Sequence, residues 1–253
     1  DVVEVVPFED RLRERKQQAA FVTASYRSGD LEFGAGARID RWEVETTNRQ
    51  SSLSGRQSET EFLPRLSLTW YLDDQGSNLY ATAARGFEPG GFNLGNFAGS
   101  NELFGFEAEE ATSYEVGFKG RFADGSVTLT AAAFLIDYEK RQFELQAADP
   151  VTGDFVEGIV NAGDSTQYGA EIDLAWQVTA GLRLSIGAGY VDAEWDSGTI
   201  LADGTDLSGL TPPYVKDFTA VIAADYDREL AAGLGFFARA QVSYSGSFEV
   251  DLG

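Results

Sequence analysis

The residue types that carry most enzyme chemistry are missing from this chain. It holds no His and no Cys. An imidazole base, a His-based triad, a thiolate nucleophile and a His- or Cys-ligated zinc are therefore excluded. Neither a G-x-S-x-G elbow nor a G-x-x-x-x-G-K-[ST] loop occurs, so the chain reads as non-enzymatic, with no catalytic residue, metal site or cofactor assigned. Binding chemistry is left. Gly86 to Gly91 (GFEPGG) is glycine-rich but lacks the Lys that would neutralise a phosphate. Pro89 suits the end of a strand ladder and Gly90-Gly91 a turn out of it. Phe87, Phe92 and Asn93 flank that turn and, with Trp195, are candidates to line a ligand vestibule. The plainer role for Trp195, Phe155 and Tyr214 is to pack loops together. Asp203, Gly204 and Asp206 hint at a calcium loop, without EF-hand spacing.

Charge narrows the partners. Against 41 Asp+Glu stand 19 Lys+Arg, a net −22 over 253 residues. Such a chain repels nucleic-acid phosphates and offers no basic patch to anionic lipid. It starts at Asp1 and contains no Met, which reads as a processed chain or an internal fragment. No run approaches the length of a transmembrane helix. A barrel is not excluded, because its strands hide their lipid face in alternation. Phe8 to Ala20 spreads charge around every helical face and reads as a solvated loop entering a strand.

The elements that must carry these residues are strands. Ten segments have strand character, joined in pairs by short polar turns near Ser28-Gly29-Asp30, Asp73 to Asn78, Ala123-Asp124-Gly125, Thr179-Ala180-Gly181 and Asp227 to Gly233. Longer connections separate the pairs: Thr46 to Thr60, Glu88 to Glu110, Glu139 to Gly158 and Asp196 to Pro213. Short turn and long loop alternate throughout, as in outer-membrane barrels with periplasmic turns and extracellular loops. Tyr168, Ala170, Ile172, Leu174 and Trp176 alternate with Gly169, Glu171, Asp173, Ala175 and Gln177. Period two gives each such strand one apolar and one polar face. Val127 to Ile136 is apolar on both faces, which leaves its register open.

Aromatics mark the apolar face as the one that meets lipid. Tyr26, Trp70, Phe122, Trp176 and Tyr226 precede the short turns, and Trp42, Phe87, Tyr138, Tyr190 and Tyr244 lie at the far strand ends. Amphipathic rings favour the headgroup level, so two belts bracket a bilayer. The segments run roughly nine to fourteen residues, longer than the strands of soluble sandwiches or propellers. The fold class is all-β: about ten strands of a larger antiparallel transmembrane β-barrel. On the wet face stand Arg65, Glu115, Lys119, Arg121, Glu171, Asp173, Arg183 and Arg239. They are candidates to contact a plug inside the barrel or to guide a charged ligand; the plainer role is a wetted wall with charges paired across strands. Asp192, Glu194 and Asp196 continue the lipid parity above Tyr190, as solvated acids or as groups sharing divalent cations with lipopolysaccharide.

Three stretches carry a family resemblance: LYATAARGFEPGGFN from Leu79, EATSYEVGFKGRFADGSVTLTAAAFLIDYEKRQ from Glu110, and IVNAGDSTQYGAEIDLAW from Ile159, followed by GYVDAEW. In this order and spacing they resemble TonB-dependent outer-membrane receptors of the iron-complex, siderophore branch. The resemblance implies a plugged barrel of about 22 strands, of which residues 1–253 are one part. The plug domain, TonB box, early strands and closing strands are not in this sequence. It also implies uptake of a ferric siderophore or similar scarce nutrient across the outer membrane of a Gram-negative bacterium. The implied partners are the TonB-ExbB-ExbD complex, acting through the N-terminal part, and outer-membrane lipid and lipopolysaccharide. Patterning alone leaves open a passive porin or channel, or an assembly barrel such as an usher.

Overall fold

The computed structural model describes residues 11–49, 53–93, 105–148, 155–201, 204–231 and 233–249. Its strands are β1 (Arg11–Ser28), β2 (Leu31–Asn48), β3 (Leu53–Tyr71), β4 (Asn78–Glu88), β5 (Gly91–Phe92), β6 (Gly105–Phe106), β7 (Glu109–Phe122), β8 (Val127–Ala148), β9 (Phe155–Gln177), β10 (Leu182–Trp195), β11 (Phe218–Ala231) and β12 (Leu234–Ser245). Ten of them form one antiparallel meander, each bonded to the next long strand in sequence. β5 and β6 pair separately, within the connection from β4 to β7. β1 and β12 are the open edges.

Ladder registers fix which residues share a face. One row runs Leu31, Trp70, Leu79, Phe118, Ala131, Ile172, Ala188, Ala220, Tyr244 across nine strands. A neighbouring row on that face runs Leu129, Leu174, Ile186, Ile222, Val242. Many of these apolar side chains are exposed, Ile222 at 56% and Val242 at 73%. In water such a continuous apolar face would demand a partner; here it is the face of the sheet that meets lipid. Opposite lies the row Asn78, Lys119, Thr130, Asp173, Gly187, Val221, Ser243. The same registers settle β8. Val127, Leu129, Ala131, Ala133 and Leu135 point outward, and Thr128, Thr130, Ala132, Phe134 and Ile136 inward.

The belt beside the short turns holds as expected, with Tyr26, Trp70, Phe122, Trp176 and Tyr226 all on the outward parity. The far belt needs correction. Trp42 pairs with Glu59 and Gln17 on the inward parity and is only 4% exposed. Tyr138 also points inward, beside Arg141. Tyr114, Tyr168 and Phe218 take their places beside Tyr190 and Tyr244, and the Phe218 and Tyr244 rings lie 6.0 Å apart. Tyr168 to Trp176 of β9 is nine residues, within the roughly 9–11 that a tilted transmembrane strand needs.

Several strands run well past this band. β2, β3, β8 and β9 have 18, 19, 22 and 23 residues. Arg11 to Ala20, expected as a loop, is strand, paired residue by residue with Ile39 to Asn48. Parts of the expected loops Thr46–Thr60 and Glu139–Gly158 are strand as well. Above the hydrocarbon the outer face meets water, so outward positions of β2 turn charged at Arg41, Glu43 and Glu45 while inward Trp42 and Val44 are buried, and the backbone ladder continues. Cross-strand ion pairs reinforce it: Glu43 meets Arg56 at 2.7 Å and Lys16 at 3.8 Å. Both pairs are largely exposed and contribute little individually.

The facing assignment predicts that Ile186→Arg destabilises the protein folded into bilayers by about 2–4 kcal/mol, and Ser185→Arg by much less. Reversible unfolding in lipid vesicles measures both, and equal losses or a reversed ranking would contradict the register.

Candidate functional site

Above the far belt, two connections fold onto the inner side of the wall instead of standing clear of it. The first leaves β4 at Pro89. At Gly90 a Cβ would sit 2.5 Å from the Phe106 carbonyl oxygen and 2.9 Å from the Ala108 nitrogen. Only glycine allows that approach, which lets β5 lie against β6. Phe92 then packs with Trp42, Val44 and Ala108, and half-buried Phe87 joins them. The Arg13 guanidinium donates to the Phe92 carbonyl at 2.6 Å.

Side-chain amides fasten this connection to the hairpin of β8 and β9. Asn93 donates to the Ile159 carbonyl at 2.7 Å and accepts from its N–H at 2.6 Å. Asn161 does the same to Glu107, at 3.0 and 2.7 Å. The Gln142 amide donates to the carbonyls of Pro89 and Glu107, both at 3.1 Å. An amide has both donor and acceptor, so it can stand in for a missing strand neighbour. Lys140 adds an ion pair to Glu107 at 2.5 Å, and that carboxylate raises its pKa. Burial raises the Glu109 carboxyl, partly offset by the N–H that Gln142 donates to it at 2.6 Å. Between these pieces lies a cavity of about 480 Å³ lined by Trp42, Gln57, Glu59, Glu107 and Lys140. Trp42 Nε1 and Gln57 Oε1 are buried and have no partner among the described residues.

The second connection follows β10. Asp196 donates its N–H to the Asp164 carbonyl at 3.0 Å, and Ile200 bridges to Asp206. This brings Leu201 and Leu207 onto Trp195, with Ala162, Phe143 and Val160 completing the cluster. Trp195 is 1% exposed, and Phe143 meets it edge-on at 6.4 Å. Tyr214 remains 67% exposed, tilted against Phe248 at 6.0 Å. Asp206 accepts the Ser208 N–H, which holds its pKa down; Asp203 and the side chain of Phe155 lie outside the described residues. On the outward side, Asp192 accepts from Tyr168 at 2.7 Å and Tyr190 at 3.3 Å, and Asp196 from Thr166 at 3.0 Å.

The vestibule candidates thus divide between the two connections. Phe87, Phe92 and Asn93 secure the first and Trp195 the second, and the rings of Phe92 and Trp195 are covered by the chain's own residues. Lower on the inner face stand Glu115, Lys119, Arg121, Glu171, Arg183 and Arg239. Lys119 lies 5.0 Å over the Tyr80 ring. Of these six, only Arg239 forms an ion pair among the described residues, with Asp225 at 3.4 Å. Gln142 and Asn161 escaped the sequence reading. A polar amide in a polar stretch carries no periodic signal.

Comparison with known proteins accounts for the barrel wall. A family model for the TonB dependent receptor-like β-barrel matches residues 5–253. The chain is 27% identical over 206 residues to the probable TonB-dependent siderophore receptor PiuA of Acinetobacter baumannii, covering 74% of this chain and 26% of that one. To the pesticin receptor of Yersinia pestis it is 27% identical over 196 residues, covering 75% and 27%. The crystal structure of the ferric yersiniabactin uptake receptor FyuA from Yersinia pestis superposes with a TM-score of 0.75 at 20% identity, covering 96% of this chain and 36% of that one. The chain spans about a quarter of the length of the curated relatives it matches.

Loss of the amide fastening is measurable. In the full-length protein, Gln142→Leu should speed amide exchange at Gly91 and Phe106 by about tenfold, the worth of roughly one net hydrogen bond. Exchange at Ile186 should not change. Protection left intact at Gly91 and Phe106 would mean that the packing of Phe92 suffices.

Proposed function

The chain belongs to the TonB-dependent receptor β-barrel family, and from that premise we propose that the whole protein imports a ferric siderophore or a similar metal chelate across the outer membrane. The match of the family model over residues 5–253 carries this reading. In it, residues 1–253 are part of one barrel whose plug and closing strands belong to a longer chain. The open edges at β1 and β12 favour this, because unpaired strands are not stable in lipid. The plug occupies the lumen, and Glu115, Lys119, Arg121, Glu171, Arg183 and Arg239 face it. Phe87, Phe92, Asn93 and Trp195 shape the vestibule by holding the two inward connections where ligand arrives. TonB, with ExbB and ExbD, supplies the energy through the N-terminal part, and lipopolysaccharide borders the outward face.

This orientation places the short turns in the periplasm. A single cysteine at Ser197 should react with an impermeant thiol reagent on intact cells, and one at Asp124 should not. Labelling at Asp124 alone would invert the topology.

Energised import separates the receptor from a porin. Deleting TonB or collapsing the proton-motive force should abolish uptake of the ligand while its surface binding persists. Uptake that follows the gradient regardless of TonB would leave the barrel intact and refute the receptor reading.

A further inference from the structure

Just above the far belt, the ladder between β8 and β9 breaks. Tyr138 pairs with Ser165, but the next partners are Arg141 and Gly163, and Lys140 takes φ +54° in the resulting bulge. A bulge of this kind re-aims a side chain. Here it swings Arg141 to the inner side, among residues of three strands. Its Cζ lies 4.6 Å from the centre of the Tyr138 ring and 5.6 Å from that of Trp195. Its Nη1 donates to Ser165 Oγ at 3.0 Å, and Ser165 is fully buried.

What Arg141 lacks is a counter-ion. Among the described residues no carboxylate lies within ion-pair distance of it, although the chain holds 41 acids against 19 bases. Three other cations of the mouth are matched, Lys140 by Glu107, Arg56 by Glu43 and Arg85 by Glu110, while Arg13 spends its guanidinium on the Phe92 carbonyl. Burial lowers the Arg141 pKa. Two aromatic rings can hold the guanidinium by their negative faces. They leave its N–H edge, with donors that Ser165 does not use, for a planar oxyanion. A cation partly withdrawn from water and unpaired gains most when an anion arrives.

We propose that Arg141 is an anion-contact residue at the mouth of the barrel, selecting chelates that present a carboxylate or catecholate oxygen. This rests on the receptor reading and adds the charge class of the ligand to it. Lys at this position would keep the charge but lose the fork, so Arg141→Lys should fall between the unsubstituted protein and Arg141→Gln.

The test uses the full-length receptor in detergent and two probes, a trianionic ferric tris-catecholate and a neutral ferric tris-hydroxamate. Resistance of the folded barrel to unfolding in cold detergent checks that each variant is intact. Arg141→Gln should weaken binding of the trianionic chelate by about tenfold or more and leave any binding of the neutral one unchanged. Equal weakening of both, or no change in either, would overturn the proposal and assign Arg141 to the bulge or to a carboxylate elsewhere in the chain. Failure of the unsubstituted receptor to bind the trianionic chelate also overturns it, while TonB-dependent uptake of another ligand would keep the receptor reading. Uptake indifferent to TonB, with Arg141-dependent binding retained, would remove the receptor reading and leave the anion contact standing.

Discussion

A backbone N–H or C=O inside hydrocarbon has no water to bond, and leaving it unpaired costs several kcal/mol. In this chain each interior strand of the sheet meets that demand by pairing with its neighbours in sequence, and among the described residues the outer sides of β1 and β12 are open. Much else follows from it. Sequential antiparallel pairing requires tight turns on one side, so glycine and compact polar residues gather at Gly29, Gly125 and Gly233, all at positive φ. Pairing on both sides also fixes facing, so Ile172, Ile186 and Ile222 must stand together toward lipid while Asp173, Gly187 and Val221 line the other side. Where the chain leaves the bilayer the demand relaxes, and only there do side chains take over the pairing of the backbone.

That boundary also limited what could be read from the sequence. Within the bilayer the two faces meet different solvents, so Tyr168 to Trp176 declares its strand, period and facing through residue type alone. The turns and the periplasmic belt were legible for the same reason. Arg11 to Ala20 was not, because Arg13, Arg15 and Gln17 face water inside while Glu14, Lys16 and Gln18 face water outside. Trp42 and Tyr138 misled through position: each ends an outgoing strand, as a belt residue does, but parity turns both inward. β8 lacked contrast for a third reason. Ala132, Phe134 and Ile136 are apolar on the inner side, so only its neighbours reveal the register.

The mouth was the least legible part. Phe87, Phe92, Asn93 and Trp195 stood out as aromatic or amide residues near turns, yet their partners lie far off in sequence. Asn93 bonds Ile159, 66 residues away, and Glu107 bonds Asn161, 54 away. Those contacts join the connection after β4 to the hairpin of β8 and β9 and are long-range, so no local pattern encodes them. The result is a mouth in which the first connection is fastened by directional amide bonds beside a small apolar cluster, and the second by the apolar cluster around Trp195. Amide bonds of this kind break and re-form individually at modest cost, which under the proposed import function suits a segment that gives way to cargo.

The strands that overshoot the apolar band have a consequence for assembly and persistence. The upper parts of β1, β3 and β8 hold Arg13, Arg15, Lys16, Arg56 and Lys140, all beyond the belt. To leave the membrane by the route of entry, the outward Lys16 and Arg56 would each have to recross its midplane, at about 2–4 kcal/mol apiece. Such crossings add up for a hairpin that moves as a unit. The polar hairpins therefore work as barbs: once carried through, they make retreat far slower than the equilibrium stability of the sheet alone would suggest. Longevity of the barrel is then a property of its most water-loving residues, and trimming those hairpins should shorten its residence in the membrane without touching the lipid-facing wall.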